Sequence, residues 1–313
     1  MGINIGIIGV GGVGGYFSGK LCPLTSTEGV KVYFVARGKH LDEIRKNGLW
    51  VSTAAEGDWI CRPTLATDRI EDLPSLDVCL ICVKAYDLSN VVGQLQTKVS
   101  ETTAIVPLLN GIDIYERIRK DLHTAQVFPA CVYIGTHIET YGKVVQKGGA
   151  CKIIFGKDPQ GNGAVPQLLF ELFDKSGISY EWFGDVFPLI WTKYVFIAAF
   201  GLVTAGFDKT LGQVMESRRL SDCVLSVMHE IVTLARKKGI ALPEAIVTES
   251  YEKGHDFPDE TKTSFQRDYE YADKPDERDL FGATILHLGK QLGVETPATQ
   301  ALWEILNRRK PLP

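Results

Sequence analysis

The sequence lacks an excess of positive charge, a paired set of cysteines, and any internal repeat or low-complexity linker. Its 313 residues carry 34 lysines and arginines against 38 aspartates and glutamates, so a net charge of -4 gives no general attraction to nucleic acid. Seven cysteines, an odd number scattered along the chain, do not form a disulfide framework. The first apolar run, residues 3–9, is too short for a signal peptide, and we therefore expect a cytoplasmic protein.

Long apolar runs are also scarce, and only residues 186–207 could be mistaken for a membrane span. Lys193 lies inside this stretch, and Pro188 and Gly201 interrupt it. A lysine near the centre of a membrane helix costs about 3 kcal/mol. We therefore predict a buried helix of a globular protein and no membrane partner.

Short apolar runs alternate with helical patterns in the first half of the chain. Residues 3–8, 31–36, 77–83 and 104–109 are near-continuous apolar runs, as expected for parallel strands that are buried on both faces. Between residues 132 and 156, glycines separate shorter strands, which indicates hairpins at the edge of the sheet. The alternation predicts a doubly wound α/β domain of the Rossmann type with a mostly parallel sheet.

The second half of the chain shows no further strand pattern. Apolar residues recur at helical spacing along residues 217–238, and residues 277–292 and 297–309 have the pattern of two more helices. We therefore predict two domains. Residues 1–184 would form the Rossmann-type domain, and residues 185–313 an all-α domain.

A glycine-rich turn follows the first strand and opens a helix, and it consists of Gly9, Val10, Gly11, Gly12, Val13 and Gly14. It matches the G-x-G-x-x-G pattern in the context that this pattern requires. The first glycine permits a tight turn, the second lets backbone N–H groups approach a pyrophosphate, and the third allows close packing of helix and strand. The sequence therefore predicts a dinucleotide site at a helix N-terminus. The alternative is a glycine turn with a structural role only.

The residue after the second strand decides which dinucleotide is expected. An NAD site would place Asp or Glu there, to accept a hydrogen bond from the ribose 2′-hydroxyl. This chain has Arg37, with Lys39 and His40 close behind and no carboxylate before Asp42. An arginine suits a 2′-phosphate through paired, charge-assisted hydrogen bonds and through stacking on adenine. We therefore predict NADPH, and the alternative is a solvated basic turn.

Taken together, the motifs of the chain resemble those of the ketopantoate reductase (2-dehydropantoate 2-reductase) family. They are GVGGVG at 9–14, FVARG at 34–38, VKAYD at 83–87, LLNG at 108–111, WTK at 191–193, S-x-x-x-D at 264–268 and E-x-D at 277–279. Each motif is short, but their order and spacing are specific and span nearly the whole chain. The resemblance implies an oxidoreductase that reduces a 2-oxo acid with NADPH, in a cleft between a Rossmann-type domain and a helical domain.

The resemblance also implies roles for individual residues. Lys84 would lie near the cofactor, and Asn110 would contact the nicotinamide ribose and the substrate. Lys193 falls at the position of the family's general acid and would contact the substrate. Glu277 matches the glutamate that holds the cofactor ribose or the substrate hydroxyl and pairs with the lysine, and Ser264 matches a serine that binds the substrate carboxylate. The alternatives are a loop lysine at 84, an Asn-Gly turn at 110–111 and an ordinary first-turn carboxylate at 277.

Lys193 is distinguished on physical grounds as well. It lies in an apolar helical segment beside Trp191 and Tyr194, and we expect burial to lower the pKa of Lys193 toward neutrality. Ketone reduction needs a proton at the carbonyl oxygen, and a lysine of lowered pKa suits that task. The alternative is a lysine whose ammonium group reaches solvent from an amphipathic helix.

At two positions the chain departs from the family pattern. The family has asparagines four and eight residues after the lysine, on one face of the helix, and this chain has Ile197 and Gly201 there. The leading prediction is NADPH-dependent reduction of 2-dehydropantoate to pantoate, a step of pantothenate and coenzyme A biosynthesis. The two replacements leave open another, more apolar 2-oxo acid as the substrate.

A non-catalytic NADPH-sensing protein is the alternative from another class. The two missing asparagines favour it, whereas Lys193 and Glu277 oppose it.

No metal site is predicted, because Cys79 and Cys82 lie within one strand, where they point to opposite faces. The oligomeric state is left open, with a homodimer as one option.

Overall fold

The structure is a computed structural model that describes residues 2–26, 29–161, 163–271 and 274–310. The chain divides into two compact units. The first consists of Met1–Asn110 and Ile114–Val186, and the second of Gly111–Asp113 and Phe187–Pro313.

The first unit contains the strands of the structure. In chain order they are β1 (Ile3–Ile8), β2 (Val30–Val35), β3 (Leu49–Thr53), β4 (Gly57–Cys61), β5 (Leu65–Thr67), β6 (Val78–Ile81), β7 (Ala104–Pro107), β8 (Gln126–Val127), β9 (Ala130–Tyr133), β10 (Thr136–Thr140), β11 (Lys143–Gln146), β12 (Lys152–Gly156) and β13 (Ser179–Phe183). They form a six-stranded sheet in the order β5-β2-β1-β6-β7-β8, a four-stranded sheet in the order β10-β11-β3-β4, and a three-stranded sheet in the order β13-β12-β9.

The six-stranded sheet is parallel throughout, as the apolar runs predict. Every residue of β6 and β7 is buried, because both faces of these strands are covered. Helices α1 (Gly12–Leu21), α2 (Gly38–Asn47), α3 (Leu88–Leu95) and α4 (Ile114–Asp121) connect the strands of this sheet, and α5 (Gln167–Ser176) precedes β13. The predicted Rossmann-type fold class is confirmed.

The predicted place of the later strands is wrong. They do not extend the edge of the parallel sheet but form parts of the two smaller sheets. The hairpin of β10 and β11 joins β3 through parallel pairing of Lys143–Gln146 with Trp50–Thr53. The strands β9 and β12 pair with each other, and β12 also pairs with β13.

A buried ion pair fixes the connection from α4 to β8 in the first unit. The guanidinium of Arg119 binds the carboxylate of Asp158, and the two side chains are 6% and 4% exposed. Asp158 also accepts a hydrogen bond of 2.7 Å from the Tyr115 hydroxyl and one of 2.9 Å from the Val127 N–H. Because these groups satisfy both carboxylate oxygens, the pair holds the helix end against the strand.

The second unit is helical, as predicted. Its helices are α6 (Phe187–Phe207), α7 (Leu211–Glu216), α8 (Arg218–Lys237), α9 (Ile246–Glu252), α10 (Ser264–Tyr269), α11 (Thr284–Leu292) and α12 (Pro297–Arg309). The helix predicted over residues 277–292 is not uniform, because Asp279–Ala283 forms a π-helical turn before α11. Among the described residues, α6 is the one helix long and apolar enough to cross a membrane, but 72% of that stretch is buried within the protein.

Candidate active site

The glycine turn lies between β1 and α1, and two of its glycines are required by its own geometry. Gly9 has a φ of +97°, a conformation that side chains rarely adopt. A Cβ on Gly14 would collide with the carbonyl oxygen of Gly9. Gly11 differs from both, because a Cβ there would meet no atom of the described residues within 4 Å. The open space in front of Gly11 suits the close approach of a ligand to the backbone.

A cleft of about 300 Å³ begins at this turn and brings together residues from distant parts of the first unit. Gly9, Val10 and Gly11 line one part of it, and Arg37 and Lys84 line another. Gly12, Val13 and Gly14 form the start of α1. The first N–H groups of a helix have no acceptor within it, so this arrangement can bind an anion.

A second cleft of the same unit has a volume of about 790 Å³, and Lys20, Trp59 and Arg62 are among the residues that line it. None of the residues predicted to bind cofactor or substrate lines this larger cleft. The cleft at the glycine turn is therefore the better candidate for the cofactor.

Arg37 forms an ion pair in the candidate cofactor cleft that the sequence analysis did not predict. Its guanidinium donates to both carboxylate oxygens of Asp87, with an Nη2–Oδ2 distance of 2.5 Å and an Nη1–Oδ1 distance of 3.5 Å. The Arg37 side chain is 72% exposed and that of Asp87 is 22% exposed. The only sequence signal for Asp87 was its place at the end of the VKAYD motif.

His40 is a second residue of this cleft to which the sequence analysis gave no role. It is buried, and its Nδ1 accepts a hydrogen bond of 3.0 Å from the N–H of Gly142 in the turn between β10 and β11. An imidazole nitrogen that accepts carries no proton, so the ring is neutral with its proton on Nε2. Burial lowers the pKa of His40 and favours this neutral form.

The two remaining residues predicted in the first unit each follow a strand end. Lys84 comes shortly after β6, directly before a short 3₁₀ turn over Ala85–Asp87, and its side chain is half-buried. Asn110 follows β7 and is also half-buried, but it is not among the residues that line the candidate cofactor cleft. The carboxyl ends of parallel strands are the usual ligand-binding edge of such a sheet.

In the second unit, Lys193 and the two departures from the family pattern lie on α6. Lys193 and Ile197 are half-buried, and Gly201 is buried. A Cβ on Gly201 would lie 3.6 Å from the side chain of Phe265, which is an ordinary packing distance. Packing therefore does not require glycine at this position.

Glu277 is 4% exposed, and the two residues beside it hold the segment in place. Arg278 donates to both carboxylate oxygens of Asp276 at 2.9 and 2.8 Å, and Lys310 lies 3.0 Å from the same carboxylate. Arg278 also donates to the side chain of Asn307 at 2.8 Å and to the main-chain carbonyl of Lys310. Burial alone would raise the pKa of Asp276, but hydrogen bonds from Arg278 and Lys310 outweigh it and hold that pKa below its usual value.

Tyr194 connects α6 to the segment that follows Glu277. Its buried hydroxyl donates a hydrogen bond of 2.7 Å to the carbonyl of Leu280, within the π-helical turn. A π turn shifts the hydrogen bonding of a helix and is frequent at functional sites. The helix that carries Lys193 and the segment that carries Glu277 are thus joined directly.

Ser264 is the first residue of α10 and is exposed. Thr263 caps this helix, because its side chain accepts a hydrogen bond from the N–H of Gln266. Gln266 itself is 1% exposed, and neither polar atom of its side-chain amide has a hydrogen-bond partner among the residues that the structure describes. The sequence analysis did not single out Gln266, because the S-x-x-x-D motif at 264–268 in which it lies specifies only its first and last residues.

Both halves of the chain match models of one protein family. Residues 5–160 match the model described as ketopantoate reductase PanE/ApbA, and residues 185–310 match the model of its C-terminal part. The chain belongs to the ketopantoate reductase family. The resemblance inferred from the motifs is confirmed, and with it an oxidoreductase that acts on CH–OH groups.

Three proteins that are similar to this chain share at most 27% of its residues. Uncharacterized oxidoreductase YkpB of Bacillus subtilis is 27% identical over 95% of both chains. The crystal structure of 2-dehydropantoate 2-reductase from Porphyromonas gingivalis is 27% identical, with a TM-score of 0.81 over 98% of this chain and 99% of that one. A ternary structure of D-mandelate dehydrogenase with NADH and anilino(oxo)acetate shares the fold at 19% identity, with a TM-score of 0.83 over 98% of both chains.

Proposed function

We propose that this ketopantoate reductase family member reduces 2-dehydropantoate to pantoate with NADPH, in the cytoplasm. One observation carries the proposal beyond the family. The hydroxyl of Tyr194 bonds the main chain at Leu280 and so ties the helix of Lys193 to the segment of Glu277. Lys193, the expected proton donor, and Glu277, which would orient it, lie on directly connected segments of one unit.

The residues of the candidate cofactor cleft fit an NADP molecule. The open space at Gly11 and the N-terminus of α1 would receive the pyrophosphate, and Arg37 would bind the 2′-phosphate. Lys84 lines the same cleft and would add a positive charge beside the phosphates. When bound, the cofactor supplies the hydride that the reduction requires.

Lys193 would supply the proton. Reduction of a ketone places negative charge on the carbonyl oxygen, and a positioned ammonium group both stabilises that charge and transfers a proton to it. The buried carboxylate of Glu277 would orient the ammonium group of Lys193. Asn110 and Ser264 would contact the substrate, the first through its amide and the second at the carboxylate.

A more apolar 2-oxo acid is a second candidate substrate, favoured by one feature of α6. Ile197 is half-buried one helical turn after Lys193 and offers a methyl surface where the family has an amide. A substrate whose side chain is a hydrocarbon would leave no hydroxyl unpaired against that surface.

A panel of 2-oxo acids, assayed by the loss of NADPH absorbance, tests the proposal. We expect 2-dehydropantoate to give the highest kcat/KM, above pyruvate, branched-chain 2-oxo acids and phenylglyoxylate. A higher value for one of the apolar acids would identify the second candidate. Tight NADPH binding with no turnover of any member would instead indicate a sensing protein.

Size-exclusion chromatography with light scattering on the same preparation determines whether the protein is a homodimer.

A further inference from the structure

The Arg37–Asp87 pair lies in the part of the cleft where, under the proposed function, the adenosine ribose of the cofactor binds. Arg37 alone would favour a 2′-phosphate. However, the two terminal guanidinium nitrogens of Arg37 already donate hydrogen bonds of 2.5 and 3.5 Å to the carboxylate of Asp87. A ligand phosphate must therefore replace Asp87 at the same donors.

The carboxylate of Asp87 is not engaged in capping a helix. Asp87 is the N-cap residue of α3, a position where aspartate is favoured because its carboxylate accepts from the first-turn N–H groups. No such bond forms here. The carboxylate reaches Arg37 instead, and both side chains line the candidate cofactor cleft.

The order of the sheet explains why two residues 50 positions apart meet. The strands β2 and β6 both pair with β1, one on each side. Arg37 follows the carboxyl end of β2, and Asp87 follows that of β6, so the two lie on opposite flanks of the glycine turn. In a standard NAD site the carboxylate that receives the ribose hydroxyl comes from the end of β2. In this protein the carboxylate of Asp87 reaches the same place from the end of β6, on the other side of β1.

We propose that Asp87 is a specificity-determining residue that moderates the preference of this site for NADPH over NADH. The inference rests on the proposed function only in taking the candidate cofactor cleft as the dinucleotide site. Asp87 acts in two ways. It accepts hydrogen bonds from both terminal guanidinium nitrogens of Arg37, and it offers an acceptor to the ribose 2′-hydroxyl of NADH.

The two cofactors meet this arrangement differently. The 2′-phosphate of NADPH carries a charge of about -1.5 to -2 at neutral pH, so it must displace Asp87 from Arg37 and is then repelled by it. The 2′-hydroxyl of NADH is uncharged and can donate a hydrogen bond to the carboxylate. Removing the charge at Asp87 therefore strengthens the binding of 2′-phosphates without strengthening that of 2′-hydroxyls.

Calorimetric titration of the full chain with adenosine 2′,5′-bisphosphate and with ADP tests the proposal without any need for turnover. At low salt, Asp87→Asn should tighten binding of the bisphosphate about tenfold and change ADP binding less than about twofold. The gain should shrink as the salt concentration rises, because the charges are partly exposed. In an Arg37→Ala background the gain for the bisphosphate should be clearly smaller, because no guanidinium remains to be released and only the direct repulsion between Asp87 and the phosphate is relieved.

Asp68 provides a matched control. It lines the same cleft, and its side chain is 57% exposed beside Arg45. Asp68→Asn removes the same charge without touching Arg37, and it should leave the ratio of the two affinities unchanged. Equal effects of the two substitutions, or equal gains for bisphosphate and ADP, would overturn the proposal. Thermal unfolding of each variant checks that the fold is retained.

The assay separates this inference from the proposed function. If the Asp87 pattern appears but no 2-oxo acid is reduced, the proposed reaction is wrong and the role of Asp87 stands. If 2-dehydropantoate is reduced with NADPH but Asp87→Asn leaves the affinity ratio unchanged, the inference alone is wrong.

Discussion

The hydroxyl of Tyr194 donates a hydrogen bond of 2.7 Å to the main-chain carbonyl of Leu280. Tyr194 directly follows Lys193 on α6, and Leu280 lies in the π-helical turn three residues after Glu277. The bond therefore acts between the two segments that carry the predicted acid and its partner, and we expect Tyr194 to position them rather than to take part in catalysis itself.

Tyr194→Phe should lower both stability and turnover. The buried carbonyl of Leu280 loses its donor, which costs about 1–3 kcal/mol of unfolding free energy. We expect kcat to fall about tenfold, because small errors in the placement of catalytic groups are costly, while the Kd for NADPH stays unchanged. Tyr251→Phe is the control, because it removes a hydroxyl that bonds Ser221 at 2.7 Å elsewhere in the same unit. A loss of kcat as large in the control would mean that Tyr194 acts through stability alone.

Lys193→Ala should lower kcat by about 10²–10⁴, the usual contribution of a general acid, and leave NADPH binding intact. Stopped-flow measurement of NADPH oxidation, together with a fluorescence titration of NADPH, separates the two effects. A fully active variant would exclude Lys193 as the proton donor. Glu277→Gln keeps the shape of the side chain and should reduce kcat while shifting its pH profile, because the carboxylate proposed to orient Lys193 is lost.

Ile197→Asn should raise kcat/KM for 2-dehydropantoate if its hydroxyl lacks a partner in this protein. A hydrogen bond to an otherwise unpaired group is worth about 1–3 kcal/mol, which corresponds to a gain of roughly 5- to 150-fold. Gly201→Ala is the comparison variant, because a Cβ at that position fits at 3.6 Å from Phe265 and adds no polar group. No gain from Ile197→Asn would show that other residues bind the substrate hydroxyl.

His40 predicts a pH dependence of stability. Its pKa in the folded protein is lowered from an unfolded value of about 6.5, so between the two values the unfolded chain binds more protons. This contribution is complete above the unfolded pKa and is lost as the pH falls through the folded pKa. Urea unfolding across about pH 5 to 8 should show the loss in the wild type. In His40→Asn, whose Oδ1 can still accept from Gly142, this part of the slope should vanish, and an unchanged slope would assign it to other groups.

The Arg119–Asp158 pair should contribute strongly to the stability of the first unit. Arg119→Met leaves the Asp158 carboxylate buried without its counter-charge, which costs about 3–5 kcal/mol of unfolding free energy. The exposed pair of Lys152 and Glu181 is the control, and Glu181→Gln should cost about 1 kcal/mol or less. Denaturant titrations of both variants measure the two losses of unfolding free energy. Equal losses would contradict the prediction that the buried pair contributes more than the exposed pair.

The parallel sheet and the helical half could be predicted because their signals are local. The strands β6 and β7 are short apolar runs, and α8 carries a regular apolar stripe. Each element can therefore be recognised from a few neighbouring residues. The strand β4 was not predicted because most of its side chains are exposed, which leaves no apolar run. The pairing of β11 with β3 joins residues more than 90 positions apart, and no local pattern encodes such a register.

The same distinction holds at the candidate active site. Glycines of the turn and Arg37 could be found because their chemistry depends on a short motif. Asp87 and Tyr194 could not be assigned a role, because each acts through a contact with a distant part of the chain. The π turn was also missed, since five π-helical residues hardly disturb the apolar spacing of the helix that follows.

The contacts of Arg278 with Asn307 and Lys310 determine when the segment around Glu277 can take its final structure during synthesis. A chain emerges from the ribosome in order, and its early parts fold before its last residues are made. The segment around Glu277 gains these bonds only after residue 310 has left the exit tunnel. Nascent chains stalled before that point would then have a folded first unit and an unanchored segment around Glu277, so under the proposed function cofactor binding would arise before catalysis in the life of each molecule.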